Sequence, residues 1–158
     1  MIELRRATLA DAAAILEIER QSFDRQQERV SGRTLHTLLS SPRAASFAAV
    51  DIGSASPPVC PPLCLGWAAG FVWMRSTPPW GRVYAVAVHP QARGLGLGEQ
   101  LLTTLIAALE LRGARRMFLE VRCDNPAITL YQRLGFVPCA DLHHYYGPQL
   151  HAHRMVRQ

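Results

Sequence analysis

The sequence contains no lysine: its 17 basic residues are all arginine, and with 12 acidic residues they leave a formal net charge of +5. Without lysine there can be no P-loop, which needs a Gly-Lys-Ser/Thr to hold its phosphates. Long apolar runs are missing too. Leu63 to Met74 falls short of the ~20 residues that a membrane-spanning helix needs, and Gly66 and Gly70 interrupt it. The N-terminus lacks the apolar core of a signal peptide, since Glu3, Arg5 and Arg6 lead into a polar helix start, so a cytoplasmic location is expected. Charged residues make up only 18% against 49% apolar, which excludes a disordered chain or a solvated coil. No repeat or linker divides the 158 residues, and one domain over 1–158 is expected. Four cysteines (Cys60, Cys64, Cys123, Cys139) without an export signal read as reduced thiols. The Cys60–Cys64 pair spans two prolines and has no second ligand pair, so no metal is expected. The basic balance suits an anionic ligand or a ribosome-associated partner, and equally a merely soluble surface.

What is present is an alternation of short strands and helices. Ile2–Ala7 reads as a strand, and Thr8 with Asp11 three residues on resembles a capping box opening a helix whose apolar face is Ala14, Ile15, Ile18 and Phe23. Ser31 caps a second helix through Leu35, Leu38 and Leu39, ended by Pro42. Ala45–Asp51 and Leu63–Arg75 read as strands joined by a Gly/Ser/Pro-rich loop, Gly53–Pro62. After a turn at Thr77–Gly81, a strand over Arg82–His89 ends at Pro90. Gly98–Arg112 repeats leucines at helical spacing and stops at Gly113. A strand at Met117–Arg122, a helix from Pro126 to Gly135, and closing antiparallel strands at Val137–Tyr146 and Leu150–Arg157 complete the chain.

The segment from Val86 to Gly98 joins a buried strand to an amphipathic helix through a glycine-rich turn. Glycines let the backbone approach a ligand, the helix N-terminus adds partial positive charge, and Arg93 adds a full one, which together outline a pyrophosphate site. The glycines run Gly94-x-Gly96-x-Gly98, which is not the Gly-x-Gly-x-x-Gly of a dinucleotide fold. Taken alone, such a turn also serves as a plain strand-to-helix connection.

Arg93-x-x-Gly96-x-Gly98 after Val88-x-Pro90 resembles the acetyl-CoA signature of the GNAT superfamily of N-acetyltransferases. Leu119-Glu120-Val121-Arg122, Asn125 and the run Ala127 to Phe136 resemble that family's C-terminal half, and in particular its ribosomal-protein alanine N-acetyltransferase branch. The resemblance implies an α+β fold, a mixed and mostly antiparallel sheet flanked by helices and splayed between its fourth and fifth strands. It also implies acetyl-CoA as cosubstrate, with the backbone of Val86, Ala87 and Val88 on the pantetheine arm. Arg93, Gly94, Leu95, Gly96, Leu97 and Gly98 would hold the pyrophosphate, and Asn125 would hydrogen-bond the cofactor. The interval from Glu120 to Tyr131 is one residue shorter than the family's usual spacing.

Acetylating an amine needs a base for the ammonium proton and an acid for the departing thiolate. Strand alternation puts Glu120 on one face with Phe118 and Arg122. By resemblance Glu120 is the base, directly or through water, and Tyr131 the acid. The plain alternatives are a surface carboxylate paired with Arg122 and a core tyrosine. Tyr145 and Tyr146 match a Tyr-Tyr pair that lines the acceptor groove in this branch, or are a half-buried hairpin pair. Cys123 reads as structural, because direct transfer needs no covalent intermediate. His143, His144, His151 and His153 read as surface or acceptor-groove residues. Arg5, Arg6, Arg115 and Arg116 lack interleaved aromatics and read as solvated, so no nucleic acid or membrane partner is expected. A monomer or homodimer is expected. By the Leu119-Glu120-Val121-Arg122 and Tyr145-Tyr146 matches the leading acceptor is a protein N-terminal α-amine, and few carboxylates are expected near the cleft to draw polyamines. The alternatives are a small-molecule amine, or an acyl-CoA-binding module without catalysis.

Overall fold

The computed structural model describes residues 1–24, 28–53 and 63–158. The elements follow in the order β1 (Ile2–Arg6), α1 (Ala12–Ser22), α2 (Gly32–Ser40), β2 (Ala44–Asp51), β3 (Leu63–Trp73), β4 (Trp80–Val88), α3 (Leu97–Leu111), β5 (Arg116–Arg122), α4 (Ile128–Arg133), β6 (Val137–Leu142) and β7 (Ala152–Arg157). The expected Gly53–Pro62 loop lies, from residue 54 onward, outside the described residues, as does Cys60. Asp11 accepts from the Thr8 backbone N–H at 2.8 Å and takes both Arg5 guanidinium branches, which fixes the start of α1. Ser31 Oγ accepts from the Thr34 N–H at 3.1 Å and caps α2 as its position suggests.

The strands form one seven-stranded sheet in the order β1-β2-β3-β4-β5-β7-β6, antiparallel except where β4 meets β5. This is the expected mixed, mostly antiparallel α+β fold. The helix α3 lays Leu101, Leu102, Leu105 and Leu109, all fully buried, on one sheet face against Ala68, Val72 and Val83. On the other face α1 and α2 bring Ile15, Ile18 and Leu35 onto Trp67 and Ala69. The glycines that break the apolar run of β3 are where α3 approaches: a Cβ on Gly66 would sit 3.1 Å from Leu101 Cδ1.

Two expected elements are shorter than their patterns. Val137–Tyr146 and Leu150–Arg157 pair only as Val137–Leu142 and Ala152–Arg157. Between them, positive φ at His144 and Gln149 folds the chain back, and the His144 N–H donates to His151 Nδ1 at 3.1 Å. The expected Pro126–Gly135 helix is regular only over Ile128–Arg133.

The pairing of β4 with β5 sets up the site. It is limited to Trp80–Arg82 against Arg116–Phe118, after which the strands diverge. A register shift between Ala69 and Gly70 of β3 leaves Tyr84 of β4 as the extra residue of a bulge, at the point of divergence. A bulge bends its strand and raises the local twist, which turns the far half of β4 away from β5.

Candidate active site

The divergence opens a cleft of about 440 Å3, walled by Val83–Val88 of β4 and Leu119–Arg122 of β5 and floored by Ala127, Leu130 and Tyr131 at the start of α4. Along Val83–Ala87 the β4 edge that faces the cleft has no partner strand among the described residues. The Val88 carbonyl, at the end of that edge, accepts from Arg93 Nε at 3.3 Å and Ser22 Oγ at 3.4 Å.

Past β4 the chain makes a 3-10 turn at Pro90–Ala92, pinned by buried Ala92 and by His89 Nδ1 accepting from the Gln91 N–H at 3.2 Å. It then passes Gly94 at φ +82° and Gly96 at φ +75° before α3 begins at Leu97. A Cβ at Gly94 would meet nothing within 4 Å, so the backbone conformation, not lack of space, demands glycine there. Leu97 is buried and Leu95 exposed, so the turn is anchored at its helix end. Arg93 and Gly98 both line the cleft. A left-handed glycine turn, the unpaired N–H groups of a helix start and one arginine beside an open strand edge are the donor set that a pyrophosphate with an amide-bearing arm requires. These residues fit CoA.

Glu120 is nearly buried, its side chain 5% exposed. Arg82 Nη2 donates to one of its oxygens at 3.1 Å and Arg154 Nη2 to the other at 3.1 Å, while its backbone carbonyl accepts from Tyr146 Oη at 3.2 Å. Arg122, the partner envisaged by the plain reading, turns instead to Glu28 and Asp124, at 2.6 Å each. Those two hydrogen bonds, Asp124's first, raise its already high pKa. Tyr131 lies at the cleft floor, 8% exposed, and burial pushes its hydroxyl up to about 12. Its ring stands edge-on to Phe136 at 6.2 Å.

Asn125 lines the cleft, but its Oδ1 accepts from the Ala127 N–H at 2.8 Å and shapes the turn into α4. Tyr145 and Tyr146 separate: Tyr146 lines the cleft, and Tyr145, 43% exposed, accepts from Arg82 Nη2 at 3.4 Å on the other side of Glu120. Desolvation first, and then neighbouring Tyr145 and Glu120, push the Tyr146 hydroxyl well above its usual range. His144 and His151 serve the β6–β7 turn, and His153 lies 2.8 Å from Asp141. Among the described residues no three His, Cys, Asp or Glu groups gather as metal ligands would.

Sequence reading missed several groups. Carboxylates are not scarce here: Glu19, Asp24, Glu28, Glu120 and Asp124 all line the cleft. Glu19, 1% exposed, accepts from Trp67 Nε1 at 2.9 Å and the Val30 N–H at 3.0 Å, and burial raises its pKa. A signal existed for it, since Glu19 stands four residues after Ile15 and next to Ile18 on the apolar stripe of α1. Arg82 and Arg154 gave none.

A model of the Acetyltransferase (GNAT) family matches residues 12–136. The chain belongs to this family. A mycothiol acetyltransferase of Corynebacterium aurimucosum is 42% identical over 73 residues, covering 43% of this chain and 24% of that protein. An N-alpha-acetyltransferase of Sulfurisphaera tokodaii is 42% identical over 78 residues, covering 48% and 47%. The chain thus matches less than half the length of these relatives. Among solved structures, the ribosomal-protein-S18-alanine N-acetyltransferase from Escherichia coli superposes with a TM-score of 0.80 at 26% identity, over 99% of this chain and 93% of that one. NAA60 from Arabidopsis thaliana, solved in complex with acetyl-CoA, shares the fold with a TM-score of 0.81 at 19% identity, over 99% and 97%. The family expected from the glycine turn and the Leu119–Arg122 segment is the one the comparisons return, and a member of the expected branch is among the solved structures that share the fold. No helix among the described residues is long and apolar enough to cross a membrane.

Proposed function

We propose that this chain, as one domain over residues 1–158, is an N-acetyltransferase that moves an acetyl group from acetyl-CoA directly to an amine, with a protein N-terminal α-amine as acceptor. The observation that carries this is convergence: the open β4 edge, the glycine turn, Glu120 and Tyr131 all border one cleft. Acetyl-CoA supplies a thioester whose carbonyl carbon is open to attack. Glu120 takes the proton of the incoming ammonium, through a water that uses a carboxylate lone pair left free by the two arginines. As the C–N bond forms and the C–S bond breaks, Tyr131 gives its proton to the sulfur, and the second proton that the nitrogen sheds on becoming an amide restores the tyrosine hydroxyl by way of solvent. A hydroxyl pushed up to about 12 stays protonated across the physiological range, as a general acid must. An α-amine titrates near 7.7–8.0, against about 10.4 for a lysine-type amine, so much of it is already neutral and asks less of its base.

A small-molecule amine is the second reading, favoured by the mycothiol acetyltransferase relatives. CoA release from acetyl-CoA, measured with N-terminal peptides including the start of ribosomal protein S18 and with polyamines and other small amines, separates the two. Peptide-dependent release supports the α-amine, and release with small amines alone replaces it. Tight acetyl-CoA binding with no release across the panel favours the non-catalytic module.

Two variants bear on the roles. Tyr131→Phe is expected to lower kcat about tenfold to a hundredfold with little change in acetyl-CoA affinity, because the ring still packs on Phe136. Normal turnover by this variant across pH 6–9 removes Tyr131 from proton transfer. Gly96→Ala forces a Cβ into the left-handed region, a penalty of about 1–2 kcal/mol. Calorimetric titration should then show acetyl-CoA binding weakened about tenfold, and an unchanged affinity would mean that the turn does not hold the pyrophosphate.

A further inference from the structure

Glu120 stands in a partition between two hollows. On one side is the cleft, and on the other a hollow of about 520 Å3 whose walls include Trp80, Phe118, Arg82 and Arg154. Neither arginine lines the cleft, so both grip the carboxylate from behind and leave its cleft side to an amine. They arrive from opposite neighbours of β5. Arg82 comes from β4, at the last rung before the strands part, and Arg154 from β7, directly across from Glu120. Each takes a different oxygen: Arg82 Nη2 donates to Oε2 at 3.1 Å, and Arg154 donates to Oε1 through Nη2 at 3.1 Å and Nε at 3.3 Å.

We propose that Arg82 and Arg154 are positioning residues for the transfer, acting through Glu120 by fixing the plane of its carboxylate; this rests on Glu120 being the base, as read above. The last torsion of a glutamate is broad and roughly two-fold, so a donor on one oxygen leaves the group free to swing. A donor on each oxygen sets the direction of the lone pairs that remain. Aromatic rings hold the guanidinium groups in turn, that of Arg82 lying 4.7 Å from the Tyr84 ring centroid and 5.9 Å from Phe118, and that of Arg154 5.8 Å from Phe118. Stability does not explain the arrangement. Among the described residues Arg82 Nε is buried without a hydrogen-bond partner, which costs the fold, and two cations share one carboxylate. Methionine at this position would cover the same rings, remove the unmet donor and leave Glu120 paired with Arg154. Buried ion pairs replaced by apolar groups of similar volume are often no less stable. A residue kept at such a cost beside a reacting group points to function.

The test is a double-mutant cycle, with CoA release measured on whichever acceptor of the panel above reacts fastest. Arg82→Met and Arg154→Met are each expected to lower kcat about tenfold to a hundredfold, the loss that a small misplacement of a reacting group brings. The KM for acetyl-CoA and the urea midpoint should hold. Arg82→Lys, which returns a single donor to the carboxylate, should recover part of the loss. In the Glu120→Gln protein, which has no base left to aim, the same methionine substitutions should lower kcat no further. A further drop by the same factor in that background means that the arginines act independently of Glu120, and overturns the proposal. So does an unchanged kcat in both single variants, or a loss of kcat that follows a lowered urea midpoint; each of these leaves Glu120 as the base. Unchanged turnover on Glu120→Gln alone, or no release with any acceptor, removes the base and this inference together.

Discussion

Replacing Glu120 with glutamine is expected to lower kcat by roughly 10²–10³-fold while acetyl-CoA binds with unchanged affinity, the range in which a positioned general base contributes. The substitution keeps the shape of the side chain and one carbonyl oxygen, so one of the two arginines retains its acceptor and the other faces an amide NH2. Some stability is lost by that mismatch, because the side chain is 5% exposed. The elements proposed to hold the cofactor are the open edge of β4 and the turn from Arg93 to Gly98, on other strands and loops, so binding should survive. Steady-state rates together with a binding titration make the distinction. Unchanged turnover in a sensitive assay would take Glu120 out of the chemistry. Loss of acetyl-CoA binding in step with turnover would make it a structural strut between β4 and β7.

The largest expected loss of stability comes from Glu19→Ala, which should lower the unfolding free energy by roughly 2–4 kcal/mol, because Trp67 Nε1 and the Val30 N–H would both lose their acceptor inside the core. The effect should depend on pH in a defined sense. Burial raises the native Glu19 pKa above its ordinary 4.5. Between those two values the native state binds more protons at this site than the unfolded chain does. The unfolding free energy from this group therefore falls as pH rises through the window and levels off above the native pKa. The alanine variant lacks this slope, so the gap between the two proteins should be widest at the acid end and narrow upward. Urea denaturation at a series of pH values above 4 measures it; a gap that widens with pH would mean that the carboxylate is more stable ionised in the fold than in water.

The backbone of the proposed cofactor site was legible in the sequence, because what it requires is local. A turn that places residues at φ +82° and +75° demands glycine at those positions, and a helix start must follow it directly in the chain. The same holds for Leu119–Arg122, whose alternation alone put Glu120 on the face of Phe118. The partners of Glu120 were not legible. Arg82 is 38 residues away and Arg154 is 34, and both arrive by strand pairing, in the second case because β7 slips between β5 and β6. Periodicity shows which face a residue takes and not which strand lies beside it. Arg122 illustrates this: two residues from Glu120 on the same face, it turns instead to Glu28 and Asp124. The scarcity of carboxylates expected near the cleft failed for the same reason, since Glu19, Asp24 and Glu28 come from the end of α1 and the segment after it, far from β5 in sequence.

The divergence of β4 from β5 also bears on how the molecule resists association. A strand with unpaired N–H and C=O groups is an invitation to any other extended chain, and proteins usually blunt such strands at the rim of a sheet with charges, proline or a covering helix. Here the open row lies in the middle of the sheet, and blunting it would close the site. Its protection is concealment: β5 and α4 stand across the gap, with the glycine turn at one end and the three β4–β5 rungs at the other. A slender ligand arm can enter lengthwise, whereas a strand of another folded protein, tied to its own sheet, cannot reach the row. The fold thus keeps a sticky edge permanently available and yet out of reach of its neighbours.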